Sequence, residues 1–189
     1  LPTIGLLPLC LVGAAPLLAE GAGVDWSAIY MRDVFDAEPF VGGLAVALFS
    51  FTIAAGRLGM DPVVDRFSPW VVALALLSTA SIGLVIVAAA ANPTMALVGF
   101  GLMGLGCSSV YPLAISAAAR RTDRPASINV AALGQTTFVV FFAGPPLLGF
   151  IAEHAGIRFS YWTVLPVLLA ALVVSRSLAG PSERLRQNT

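Results

Sequence analysis

Six long stretches of this chain are predominantly apolar or small. Short clusters of proline, glycine and charge separate them. They run about Ile4–Ile29, interrupted near Glu20, then Phe40–Leu58, Trp70–Ala91, Met95–Ala119, Ile128–Ile151 and Phe159–Leu178. Each has the length of a bilayer-crossing helix, which takes about 20 residues. A membrane β-barrel would instead show segments of about ten residues alternating apolar and polar. Here Val71–Val87 and Ala96–Leu105 are apolar or small on all sides. A helix satisfies its own backbone in lipid, and an open strand does not. The pattern predicts an all-α membrane protein of six transmembrane helices. Pro39, Pro62 with Pro69, Asn92-Pro93, Asp123 to Pro125, and Gly156 break the pattern and leave short connections. Neighbouring helices should therefore run antiparallel.

Composition narrows the function. Of 189 residues, 58% are hydrophobic and 11% charged, whereas a soluble domain carries about a quarter charged residues. Too few charges are present to cover a water-facing surface, which excludes a soluble enzyme and a disordered chain. Nucleic acid demands a basic footprint, and the formal net charge is +0. Cys10 and Cys107 sit inside apolar runs, far apart, and suggest small buried hydrophobes rather than a disulfide framework or a metal motif. The first residue, Leu1, is expected of a fragment or a processed chain. No basic region precedes the first apolar run, as a signal peptide requires.

Arginine placement sets the orientation. All ten basic residues are arginines. With six spans, both termini and the second and fourth connections share one side. That side holds Arg57, Arg66, Arg120, Arg121, Arg124, Arg176, Arg184 and Arg186, against Arg32 and Arg158 on the other. The positive-inside rule places both termini in the cytoplasm. Trp26, Tyr30, Tyr161 and Trp162 are then expected at the outer interface, and Trp70 at the inner one.

Few polar residues lie inside the spans. Glu20 falls some 16 residues into the first, roughly 24 Å along a helix, in the outer third of the membrane. An intramembrane carboxylate normally faces a bundle interior or a watery cavity, so Glu20 is a candidate proton carrier. The other reading ends the helix near Gly21 and leaves Glu20 at the interface. Asp25 shares a face with it only if Gly21–Gly23 unwinds; otherwise it caps or lines the outer mouth. Arg32-Asp33 reads as a solvated pair. In the fourth span, Gly99, Gly101, Gly104 and Gly106 precede Ser108, Ser109 and Tyr111-Pro112. The glycines permit close helix packing, and Pro112 frees a carbonyl and permits a kink. The fifth span carries Asn129, Gln135, Thr136 and Thr137. Gln135, near mid-membrane, should point inward, either to an interhelical hydrogen bond or to a solute. Gly144-Pro145-Pro146 should break or bend that helix before His154, an interfacial residue. No catalytic or metal-ligating constellation appears in the sequence, so neither an enzyme nor a cofactor is expected.

The connection Gly56-Arg57-Leu58-Gly59-Met60-Asp61-Pro62-Val63-Val64-Asp65-Arg66-Phe67-Ser68-Pro69 resembles the cytoplasmic loop motif of the major facilitator superfamily, G-x-x-x-D-R-x-G followed by basic residues. Asp65-Arg66 matches its core, whereas Asp61 and Ser68 replace the glycines and Pro69-Trp70 the basic pair. The Gly56-Arg57-Leu58 start with Asp61 is similar to the fucose-permease-like branch. So are Glu20-Gly21-Ala22-Gly23-Val24-Asp25-Trp26-Ser27-Ala28 and the stretch Ala143 to His154, which resemble its seventh and eleventh helices. The resemblance covers the whole chain and implies the C-terminal half of a twelve-span transporter. It implies two inverted three-helix repeats, about 1–91 and 92–189, and a facing six-helix bundle. That bundle would be either a missing N-terminal half or a second copy.

The expected function is alternating-access movement of a small polar solute across a bacterial inner membrane, with proton coupling through Glu20. Glu20, Asp25, Tyr111, Asn129 and Gln135 would line the cavity, and Arg57, Asp61, Asp65 and Arg66 would form a cytoplasmic gating loop. A non-transporting membrane scaffold and a natural six-span half-transporter acting as a homodimer are the alternatives.

Overall fold

The structure, a computed structural model, describes residues 1–179. Arg184 and Arg186 of the orientation argument lie outside the described residues. A 3-10 turn, Ile4–Leu6, leads into α1 (Leu7–Phe35). It is followed by α2 (Pro39–Gly59), α3 (Asp61–Arg66), α4 (Pro69–Ala88), α5 (Pro93–Cys107), α6 (Val110–Ala119), α7 (Ala126–Ala155) and α8 (Ile157–Val174). A second 3-10 turn, Ser175–Leu178, extends α8. There is no strand among the described residues. Six segments are long and apolar enough to cross a bilayer: Ile4–Phe35, Pro39–Gly59, Pro69–Ala88, Pro93–Ala119, Ala126–Ala155 and Ile157–Leu178.

The breakers act as local chemistry dictates. Pro39, Pro69 and Pro93 each open a helix in its first turn, where the missing N–H needs no partner. Asn92 caps α5, its side-chain oxygen accepting from the Met95 N–H at 2.9 Å. Gly156 separates α7 from α8 with φ 87°, a conformation that costs a residue with a Cβ.

Four departures from the sequence expectation have physical reasons. The first span continues to Phe35, because Gly21–Gly23 stays helical and Trp26, Ile29 and Tyr30 still find packing partners. Glu20 consequently stands halfway along a 32-residue span, not in its outer third or at a helix end. Pro62 does not merely break the chain; it sits in the first turn of α3. The fourth span is discontinuous, interrupted at Ser108-Ser109 between α5 and α6. Conversely, α7 runs unbroken through Pro145 and Pro146.

Helix α1 is the hub and packs against α2, α5, α6, α7 and α8. The closest approach is between α4 and α5, where a Cβ on Gly83 would meet the backbone of Met103 and Gly99. A Cβ on Gly106 would likewise meet the backbone of Ala80. Small residues thus let two helices touch main chain to main chain, the packing lipid favours. By contrast, only 28% of the α2 window and 22% of the α7 window is buried, so the bundle leaves faces of these two helices uncovered.

Contacts join each end of the bundle. At the arginine-rich end Arg121 Nη1 donates to the Gly5 carbonyl at 2.8 Å, and the Arg176 guanidinium lies 5.8 Å over the Trp70 ring. At the opposite end Arg158 donates to the Ala88 carbonyl at 3.2 Å and the Ala90 carbonyl at 2.6 Å. These carbonyls sit at and just beyond the α4 C-terminus, where backbone acceptors have no helical partner. Arg158 also lies over the rings of Tyr30 and Phe35. Tyr30 and Tyr161 are not interfacial anchors: they are 0% and 2% exposed. Their hydroxyls donate to the carbonyls of Val87 and Ala22, which removes the reason to reach for water.

Candidate functional site at the broken fourth span

The interruption of the fourth span begins with one missing proton. In a continuous helix the residue at 112 would donate to the carbonyl of residue 108. Pro112 has no N–H, so the Ser108 carbonyl is orphaned inside the membrane. An unpaired backbone group in the hydrocarbon costs several kcal/mol. Arg57 resolves it from α2: its Nε donates to the Ser108 carbonyl at 2.9 Å. Gly56 makes room, since a Cβ there would come within 2.6 Å of Ser108 Oγ.

The same guanidinium faces Glu20. Arg57 Nη2 lies 3.5 Å from Glu20 Oε2, with side chains 49% and 23% exposed. This separation leaves a loose pair rather than a bidentate clamp. Side chains lean toward the N-terminus of their own helix, and α2 starts at the end far from the arginine-rich side. Arg57 therefore reaches back along α2 toward the Ser108 carbonyl and Glu20. A lone charge at span depth costs about 2.5–3.5 kcal/mol, and pairing offsets part of this for both groups. Cys107, at the end of α5, is buried.

Below the break a cavity of about 550 Å³ opens between the α2–α3 segment and α6. Its lining includes Arg57, Met60 and Asp65 on one wall and Ser109, Leu113 and Ser116 on the other. That volume lies within the range of small-molecule sites, roughly 300–1,000 Å³. One cation, one carboxylate, two hydroxyls and apolar walls give it the means to orient a small polar molecule.

The remaining sequence candidates are dispersed. Tyr111 is half-buried on α6, its hydroxyl 3.5 Å from that of Thr137 on α7. Asp25 is exposed on α1, and the unbroken helix turns it away from Glu20's face. Gln135 does not point inward; it lies exposed on α7 on the side of Phe138 and Phe142. The buried residues of that helix are Asn129, Ala132, Leu133, Thr137, Gly144 and Leu148, and Thr137 satisfies its hydroxyl within its own helix. Asp65 and Arg66 are exposed on α3, and Asp61 opens that helix.

Asn129 belongs to another cluster. Its amide donates to Asp123 Oδ1 at 3.0 Å, and Arg121 Nη2 donates to Asp123 Oδ2 at 3.0 Å. With the Arg121–Gly5 bond, this ties the α6–α7 connection to the start of α1. The hydrogen-bonded Arg121 guanidinium, helped by the Asn129 amide, holds the Asp123 carboxyl well below the usual carboxylate range. Sequence reasoning noted Pro112's freed carbonyl and the intramembrane Glu20, but not the arginine that joins them. An arginine at a span's end facing a proline-orphaned carbonyl was the signal available.

These features define a multi-pass membrane protein with a charged pair at a discontinuous helix, the arrangement in which transporters build ion and solute sites. The Major Facilitator Superfamily pattern matches residues 10–188, and the chain belongs to that family of membrane transporters. It is similar to an uncharacterized MFS-type transporter of Yersinia pestis, 31% identical over 85% of this chain and 42% of that one. An uncharacterized transporter of Sinorhizobium fredii is 34% identical over 92% of this chain and 45% of that one. The membrane protein MosC of Rhizobium meliloti is 29% identical over 80% and 37%. The chain thus spans less than half the length of these relatives.

Proposed function

We propose that this chain forms one six-helix bundle of a secondary transporter that moves a small polar solute by alternating access. The observation that carries the reading is the Glu20–Arg57 pair, held inside a span against the broken fourth helix. A structural bundle has no need of a carboxylate and a guanidinium at that depth. Glu20 carries the coupling proton, and its charge state is felt directly by Arg57, which faces it from α2.

In this reading the bundle consists of two inverted three-helix repeats, about 1–91 and 92–189. A second six-helix bundle, the N-terminal half of the same polypeptide, faces it; the chain's coverage of less than half of its relatives supports this. Gln135 and Tyr111 contact solute from α7 and α6, Asp25 shapes the outer mouth, and Asp61, Asp65 and Arg66 latch the cytoplasmic end. The exposed faces of α2 and α7 support such a partner. The arginine distribution supports a bacterial inner-membrane orientation with both termini in the cytoplasm. The loop motif supports the fucose-permease-like branch.

The test is uptake by the full-length protein in energised cells. Uptake should collapse when the proton gradient is dissipated, and Glu20→Gln should abolish accumulation. Accumulation that ignores both changes contradicts proton coupling through Glu20.

A further inference from the structure

We infer that the cavity below the helix break is a binding site for a small organic carboxylate, with Arg57 as its anchor and Glu20 as the internal competitor for the same guanidinium. This deepens the transport reading by naming a substrate class.

The inference rests on the donors of Arg57. A guanidinium has five N–H donors in a fixed fork. One goes to the Ser108 carbonyl at 2.9 Å, and one faces Glu20 at the long distance of 3.5 Å. The Arg57 side chain is half-exposed and lines the cavity. Because Nε is fixed on backbone, the Nη1 and Nη2 edge is held in one orientation. A carboxylate arriving from the cavity can take that edge bidentately, the geometry guanidinium favours. The Ser109 and Ser116 hydroxyls line the same cavity, and Met60 and Leu113 supply an apolar wall for the molecule's body. Asp65, also on the lining, disfavours a second negative charge and accepts from a hydroxyl or ammonium group.

The competition follows from charge. One guanidinium cannot fully pair two carboxylates in a low-dielectric site. Ionised Glu20 therefore weakens the incoming anion, and neutral Glu20 releases Arg57 to it.

Hexanoate, hexanol and hexylamine serve as probes on the purified, delipidated full-length protein. The readout is protection of Arg57 from phenylglyoxal modification, followed by mass spectrometry. Hexanoate should protect Arg57 and the other two should not. In Glu20→Gln the half-protecting hexanoate concentration should fall about tenfold, a typical coupling between sites. Ser109→Ala, which leaves the Arg57 contacts in place, should raise it severalfold. Equal protection by hexanol or hexylamine, or an unchanged concentration in Glu20→Gln, overturns the proposal. Protection by phosphatidylglycerol without protection by hexanoate assigns the guanidinium to a lipid headgroup and overturns it too. Uptake that persists while hexanoate fails sinks this inference alone. Protection without any uptake sinks the transport reading instead.

Discussion

Two arginines of this bundle do the same chemical job in different surroundings. Arg158 donates to the Ala88 and Ala90 carbonyls beyond the end of α4, stacked on Tyr30 and Phe35. Those rings belong to a cluster in which Tyr30, Phe100 and Tyr161 meet edge to face. Arg57 also donates to an orphan carbonyl, that of Ser108, but its other partner is a carboxylate at 3.5 Å and it lines a cavity. Arg158 has no carboxylate partner in the described residues and lies over two aromatic rings. The first is a clasp. The second is a clasp that also faces a carboxylate and lines a cavity, and a helix break capped by a side chain can change partners in a way that main-chain bonding cannot.

The largest effect should come from disturbing the main-chain contact between α4 and α5. Gly106→Val drives a side chain into the Ala80 backbone, and full-length protein should fail to accumulate as a monodisperse species on fluorescence-detected size exclusion. Gly134→Val, where nothing lies within 4 Å, should stay within about 0.5 kcal/mol of the parent.

Next, the arginines should separate by readout. Arg158→Gln should destabilise the full-length protein by about 3 kcal/mol and leave the uptake rate of the remaining folded protein intact. Arg57→Gln should abolish uptake. Uptake lost equally in both would erase the distinction.

A subtler change acts on the break itself. Pro112→Ala returns an N–H to the Ser108 carbonyl and removes the reason for Arg57 to cap it. Thermal stability should rise while uptake slows severalfold, and movement of both in the same direction would contradict the break's role.

The smallest effect concerns Asp123, outside both arginine sites. Its folded-state carboxyl is held below its ordinary range by Arg121. Its contribution is therefore full above the unfolded value near pH 4 and is lost as pH falls through the lower folded value. The difference in thermal stability between parent and Asp123→Asn should stay flat from about pH 8 to pH 5 and shrink only below about pH 4. Acid sensitivity of uptake within the flat range then has its origin elsewhere.

Much of this was legible in the sequence because lipid imposes strict rules. Six spans, their breakers and the two-ended charge pattern follow from hydropathy, proline placement and arginine counts. Side-chain partners were less legible. Tyr30 and Tyr161 read as interfacial, yet each hydroxyl finds a carbonyl from a distant helix, a matter of register between helices. Gln135 reads as inward because one mid-span amide demands a partner, but α7 is covered on one side only. Asn129 reads as a cavity group, while the loop before it supplies Asp123. The Glu20–Arg57 contact needs α1 and α2 in register and an arginine leaning back along its helix, which no single span reveals.

A double-mutant cycle tests the central claim, that Arg57 and Glu20 act as one unit at the broken helix. Thermal unfolding of the full-length protein is measured for the parent, Arg57→Gln, Glu20→Gln and the double variant. Arg57→Gln alone leaves a carboxylate unpaired at span depth, so it should cost more stability than the double variant does. Losses that simply add, with the double variant the least stable of the four, would contradict the account.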